Sequence, residues 1–367
     1  MKALVIGHGI AGASAAWFLE RFGASVSVAA SLTMDSATQK AAGLVNPIVL
    51  KRMRKVWYAR EAMRFLSFYS QVEQYFGLPV GSLLTPIDMF HRFSTVEELN
   101  DCTMLTSNES WTGDLGAITA SDSDWKGLRA PVGGVHINNV YVVNTIALLD
   151  TLRRWHEEAG RWVDVEVKPS DLLYEHEGLW EFRGVRFDAI VWANGIAVNE
   201  YPIWKNLPIR PNYGSWIEVE RPSDISLEIS DGFHSKYFVL PRVSGTSRPV
   251  LHVGSTYNPS PIPDLKEERE LLQNYLQSLR VDSASANLQV LRQIEGVRPT
   301  SADRRPIYGQ HPHFSGAFIA GGLGSRGLLH APVLAKKLAQ YIIEGSCTIP
   351  DTANVRRFSR RLRDCTL

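Results

Sequence analysis

The sequence predicts an α/β fold in which a Rossmann-like nucleotide-binding domain is interleaved with a mainly antiparallel α+β domain. Three observations carry that prediction. Apolar runs of strand length end in glycine at three separated places, "KALVIG", "DAIVWANG" and "GAFIAGG". The first and last of these lead into helical stretches, which is the order of a parallel βα unit. Between the second and the third, "GSWIEVE", "KYFVLPR" and "PVLHVGSTY" alternate as antiparallel strands do.

Taken in order, Lys2–Ile6 is a buried strand, short, apolar and closed by Gly7. Residues 11–22 form a helix with small side chains on one side, stopped at Gly23, and Ser25–Ala29 is the next strand. An aromatic-rich helix is expected over 56–76, and from 81 to 131 the pattern is irregular, with strand-like pieces and polar turns. Helical periodicity returns in "VNTIALLDTLRRWHEEAG", followed by a strand in "RWVDVEV". The pieces of the nucleotide-binding domain are therefore split. The division drawn is 1–80, 135–205 and 290–367 for that domain, with 81–134 and 206–289 for the second.

Bulk properties exclude several classes. Lys plus Arg number 39 against 38 Asp plus Glu, which leaves no global pull toward nucleic acid or a membrane surface. No apolar run approaches the ~20 residues of a membrane span. Cys102, Cys347 and Cys365 are scattered without metal-ligand spacing. The expectation is no metal, reduced thiols and a cytoplasmic location.

"GHGIAG" places Gly7, Gly9 and Gly12 after a strand and at the opening of a helix, the setting in which this pattern binds a dinucleotide. Gly7 permits the turn, Gly9 admits a pyrophosphate to the backbone, and Gly12 lets helix and strand pack closely. The helix N-terminus turns N–H groups and a partial positive charge toward the phosphates. A carboxylate about 20 residues on normally accepts the ribose hydroxyls. Here Ala30 stands in that place, and the Ser31 hydroxyl offers only a weaker neutral bond. The loss is of order 1–3 kcal/mol. An enclosed dinucleotide such as FAD tolerates it better than an exchanging nicotinamide does; the other reading is a dead site. "AGGLGSRGLLHAP" argues against the dead site, because Gly321, Gly322, Gly324 and Gly327 open a second helix N-terminus to negative charge.

Together these segments resemble the D-amino-acid oxidase-like FAD-dependent oxidoreductases, the group containing glycine oxidase and sarcosine oxidase. The resemblance covers nearly the whole chain through "IGHGIAGASAA", "AAGLVNPI", "DAIVWANGIAV", "YFVLPR", "GVRPTSADRRPIYG" and "GLGSRGLLHAP". "AAGLVNPI", taken with "GSRGL", is also similar to the oxidase domain of the bacterial bifunctional tRNA 5-methylaminomethyl-2-thiouridine enzyme, whose methyltransferase domain has no counterpart in this sequence.

The resemblance implies a non-covalently held FAD and a site map. Gly7, Gly9, Ile10, Ala11 and Gly12 would meet the pyrophosphate, with Ser31 toward the ribose. Ala42 and Gly43 would sit beside the flavin, and Val167 would hold the adenine through its backbone. Ala193, Asn194 and Gly195 would close over the nucleotide. Gly322, Leu323, Gly324, Ser325, Arg326, Gly327 and Leu328 would line the pyrimidine side of the isoalloxazine. Arg298 stands where relatives bind the substrate carboxylate, and Tyr237 or Phe238 where they place a tyrosine. Arg326 is read either as turned into the active site or as an exposed loop residue.

The implied reaction is oxidation of the C–N bond of a small amino acid or N-substituted glycine-like amine. A hydride would pass from Cα to flavin N5, the imine would hydrolyse, and oxygen or an electron carrier would be the acceptor. One alternative is oxidation of a carboxymethylaminomethyl-modified tRNA base. Its phosphates would then meet the basic run "LKRMRKVWYAR" and, less directly, the tail "RRFSRRLRDCTL". Another is a flavin-free binding protein. Structural readings stand beside these. Arg298 could pair with Asp303, the basic run could be a solvated face, and His8 and His330 could be satisfied or exposed. Trp57, Tyr58, Phe65, Phe68 and Tyr69 are read as helix packing.

Overall fold

A computed structural model describes residues 1–119, 123–175, 178–243, 249–258, 264–282, 288–345 and 348–365; Cys347 lies outside them. Among these residues Ser25–Ala29, Lys2–Ile6, Ala189–Trp192 and Ala317–Gly321 lie side by side and parallel. Trp162–Val163 extends the sheet on one edge, and Ile307–Gln310 closes the other antiparallel. Side chains alternate across each strand. Ala3 and Val5 face a core shared with the helices Ile10–Arg21 and Gly327–Glu344. Leu4 and Ile6 face the opposite core with Trp180, Trp192 and Trp204. Because both faces are covered, the strands read as unbroken apolar runs.

Among the described residues, nine strands form a second sheet beside the first. Its long members are Val290–Ser301, Ile209–Glu220, Pro249–Gly254, Phe238–Val243, Leu84–Arg92 and Gly134–Val143, with Asp231–His234 joined to Leu84–Arg92 in parallel. Residues 135–143 and Val290–Ser301, grouped with the nucleotide-binding domain by the division above, thus pair in the second sheet. The pattern of the first accords with this: in Gly134–Val143 the buried Val135 and Ile137 flank the half-exposed His136, a two-faced strand and not a doubly covered one.

Other elements differ from the sequence expectation in detail. The 11–22 helix runs Ile10–Arg21. The 56–76 helix is two, Ala59–Arg64 and Ser67–Phe76. Leu66, Phe68 and Tyr69 are all buried, and one straight helix would point them to more than one side. "RWVDVEV" contributes only the two-residue strand Trp162–Val163. Within the irregular 81–131 stretch lies a helix, Val96–Thr106. Among the described residues no helix is long and apolar enough to cross a membrane.

Candidate functional site

Gly7–Gly12, Ala193–Gly195 and Gly322–Leu328 all follow the carboxyl ends of adjacent parallel strands, where open α/β sheets take ligands. The backbone there is bare. A Cβ on Gly12 would stand 1.9 Å from the Gly7 carbonyl oxygen, and one on Gly7 2.7 Å from that of Ala193. Gly327 brings the second turn onto the first, since its Cβ would lie 3.1 Å from Ile10 Cγ2. Two helix N-termini, of Ile10–Arg21 and Gly327–Glu344, therefore converge, each with the partial positive charge that suits a phosphate or a developing anion. Asn194 Oδ1 is buried beside this cradle without a protein partner. These features fit a dinucleotide.

Two residues that the sequence reading missed border the same place. The Thr38 hydroxyl accepts the Ile10 N–H at 2.9 Å, and a Cβ on Gly9 would meet Thr38 Oγ1 at 3.3 Å and Ser36 Cβ at 3.6 Å. No motif marks them; tertiary folding alone brings that segment back to the helix. Tyr69, from the aromatic stretch, donates its hydroxyl to the Leu328 carbonyl at 2.7 Å and so anchors the second turn.

At the adenosine end, Ser31 is occupied locally. Its hydroxyl lies 2.9 Å from Thr33 Oγ1 and accepts the Thr33 N–H. The nearby carboxylate is Asp164, which accepts the Leu32 N–H at 2.8 Å. Val167 is buried, and its carbonyl already accepts the Tyr201 hydroxyl at 2.6 Å. With Ala30 contributing no oxygen, Ala30→Glu is expected to slow FAD loss on dialysis about two- to tenfold. An unchanged rate would mean that another group, such as Asp164, already serves the ribose.

The substrate end is built from the second sheet. Thr300 bridges to Leu323, which ties the strand of Arg298 to the second glycine turn. Arg298 donates to Ser255 Oγ at 2.8 Å and to Asn212 Oδ1, Tyr213 O and Thr256 O at 3.3 Å. The Tyr257 ring lies against it, 4.4 Å from centroid to guanidinium carbon. Asp303, its possible structural partner, is bonded instead to Arg357 at 2.9 Å. Burial lowers the Arg298 pKa, and the nearby Tyr257 and Glu268 oppose the fall; the guanidinium stays charged.

Gly214 shapes the seat of that guanidinium. A Cβ there would fall 2.5 Å from Arg298 Nη1 and 2.2 Å from the Thr256 carbonyl oxygen. Gly214→Ala is therefore expected to displace the guanidinium and lower kcat/KM by roughly tenfold or more, mostly through KM. Unchanged steady-state constants would show that the guanidinium does not rest there during turnover.

Arg326 is half-buried and not an exposed loop residue: it donates to Asn46 Oδ1 at 2.8 Å, to the Asn46 carbonyl at 3.4 Å and to the Ile48 carbonyl at 3.3 Å. Ala42 and Gly43 lead into that segment, and Gly43 O accepts the Val143 N–H at 2.9 Å. Tyr237 packs its ring edge-on to Tyr275 at 5.0 Å and lines a cavity with Thr256, Tyr257 and Glu268, while the ring against Arg298 is that of Tyr257. Phe238 points to the core that holds Trp216. Of the two flanking histidines, His330 is bonded through Nε2 to the Trp57 carbonyl at 2.8 Å. His8 packs on Trp162 with Nε2 buried and unpartnered, and burial pushes its pKa down to about 3.

Comparison with known proteins places this geometry. Over 234 residues the chain is 28% identical to the tRNA 5-methylaminomethyl-2-thiouridine biosynthesis bifunctional protein of a Caulobacter species, a match covering 61% of this chain but only 36% of that protein. It is 25% identical to the uncharacterized oxidoreductase YurR of Bacillus subtilis over 93% of this chain and 94% of that one. The fold is shared with the crystal structure of an iminodiacetate oxidase from a Chelativorans species (TM-score 0.77, 21% identity, 96% of this chain and 98% of that one). Residues 2–341 match the DAO family model, described as FAD dependent oxidoreductase. With two glycine turns converging on a bare-backbone cradle, the chain belongs to the DAO family of FAD-dependent oxidoreductases.

Proposed function

We propose that this oxidoreductase oxidises the C–N bond of a small amino acid or N-substituted glycine-like amine. Arg298 carries the reading. It is a half-buried guanidinium with neutral hydrogen-bond partners, seated beside the second glycine turn. A cation partly withdrawn from water with no carboxylate at ion-pair distance gains when an anion arrives, and the planar fork matches a carboxylate. The iminodiacetate oxidase of the same fold is named for a substrate of this class.

When bound, FAD supplies the acceptor for a hydride and its electron pair. The protein's own residues do the positioning. Arg298 would fix the carboxylate and with it the direction of the Cα–H bond, and Tyr257 would close one side. As the hydride leaves, the lone pair of the neutral amine forms the C=N bond, and water then hydrolyses the imine. The helix N-terminus at Gly327 favours negative charge developing next to it. Oxygen or an electron carrier takes up the electrons afterwards. The test is anaerobic titration of the yellow protein with N-substituted glycines: bleaching supports the reading, and an unmoved spectrum with all of them contradicts it.

A second reading, oxidation of a carboxymethylaminomethyl-modified tRNA base, is favoured by one observation. The hairpin of Ile48–Val49 and Arg54–Lys55 exposes Lys51, Arg52 and Arg54, while its Ile48 carbonyl holds Arg326. A basic surface thus borders the site, and the Caulobacter relative is named for tRNA. This reading expects salt-sensitive tRNA binding and poor turnover of free glycine derivatives.

A further inference from the structure

We propose that the hollow between the 205–210 segment and the carboxyl-terminal Arg360 and Arg361 is a binding site for a small phosphate-bearing molecule. The hollow measures about 600 Å³, within the range of small-ligand sites. Its charged lining is Lys205, Arg210, Arg360 and Arg361, with Asp364 as the one carboxylate among the described lining residues. That lining is held in place. Asn206 donates its side-chain amide to the Arg361 carbonyl at 3.1 Å and to Cys365 Sγ at 3.4 Å, and Leu362 and Cys365 are buried. Leu207 and Ile209 are buried too and fix the other side. Arg360 and Arg361 of "RRFSRRLRDCTL" therefore stand at set places on the body of the protein.

The ligand class follows from the charges. Arg357, of the same tail, is paired with Asp303 at 2.9 Å. Among the described residues none of the four cations around the hollow is paired with a carboxylate, and all four are exposed. Four cations against one carboxylate leave three positive charges around one space. Like charges so placed repel one another, and a multivalent anion relieves this while accepting a charge-assisted bond from each. Guanidinium forks match phosphate oxygens in pairs, and Lys205 adds a point charge. One terminal phosphate brings about two negative charges, so a chain of two or three phosphates matches the excess. A nucleic-acid strand repeats its charges along its length and calls for a groove that follows it. Here the cations converge on one hollow, which suits a small polyphosphate. None of the lining residues belongs to the glycine turns or to the hydrogen-bond partners of Arg298, so the proposal does not depend on the amine-oxidation reading.

The test is calorimetric. Flavin-loaded protein, its cradle already filled, is titrated with orthophosphate, tripolyphosphate and an unmodified tRNA at one ionic strength in buffer free of divalent cations. Tripolyphosphate is expected to bind once per chain and about tenfold or more tighter than orthophosphate. Arg360→Glu combined with Arg361→Glu should weaken it about tenfold or more. Lys51→Glu combined with Arg52→Glu, an equal change of charge on the exposed hairpin, should leave it within about twofold. Soluble yield and flavin content show whether each variant is folded. If the paired reversal in the tail does not fold, Lys205→Ala is read instead and should weaken tripolyphosphate about threefold or more; an unchanged affinity there overturns the proposal. The absence of saturable tripolyphosphate binding overturns it as well. Equal weakening by the two paired reversals does so too, since it would mark a diffuse effect of charge. So does tRNA binding that depends on Arg360 and Arg361 while tripolyphosphate fails to compete, which would mark an RNA surface.

Discussion

Arg298→Ala is expected to lower kcat/KM for the amine substrate by about 100- to 1,000-fold while the protein stays yellow. The magnitude follows from removing the charged partner of a carboxylate in a partly desolvated site. The retained colour follows from location: Arg298 is on the second sheet and bonded to Ser255, Asn212, Tyr213 and Thr256, away from the first glycine turn that grips the nucleotide. Flavin content comes from the visible spectrum, and kcat and KM from initial rates. Normal amino-acid oxidation by this variant would remove the carboxylate role. Loss of colour would turn Arg298 into a residue of the fold.

Gly12→Ala should leave little or no flavin-loaded protein. The added Cβ would stand 1.9 Å from the Gly7 carbonyl oxygen, and neither atom belongs to a side chain that can turn away. The first helix would have to lift from the strand, at about 3 kcal/mol or more. Gly9→Ala offers the contrast. Its Cβ meets Thr38 Oγ1 at 3.3 Å, a side-chain atom that can give way, so the chain folds and the deficit is confined to FAD retention. Soluble yield and the ratio of flavin to protein absorbance separate the two outcomes. A Gly12→Ala protein with full flavin content would contradict the close packing of helix on strand.

The glycine turns and parallel strands were readable because their causes are local. A turn that admits no Cβ and a strand buried on both faces write themselves into consecutive residues, as "KALVIG" does. The start of the helix Val96–Thr106 is also written locally. Thr95 accepts the Glu98 N–H at 3.3 Å, and the Glu98 carboxylate takes the Ser94 N–H, a T-x-x-E start in a stretch with only Cys102 fully buried. Other features had no local signal. Gly214, Ser255 and Tyr257 surround Arg298 only because three strands of the second sheet lie side by side. That the ring against Arg298 is Tyr257 likewise follows from tertiary folding and not from any local pattern. That Arg326 is half-buried and not an exposed loop residue depends on Asn46, 280 residues away in the chain, coming to lie beside it.

The central claim is that the converging glycine turns hold an FAD whose reacting end lies beside an arginine-bound amino acid. Its most direct measurement is the visible spectrum of the purified protein during anaerobic addition of N-substituted glycines. A flavin band near ~450 nm that bleaches in proportion to added amine is the predicted result. A colourless protein that takes up no FAD, or a flavin band unmoved by every amine, would contradict it.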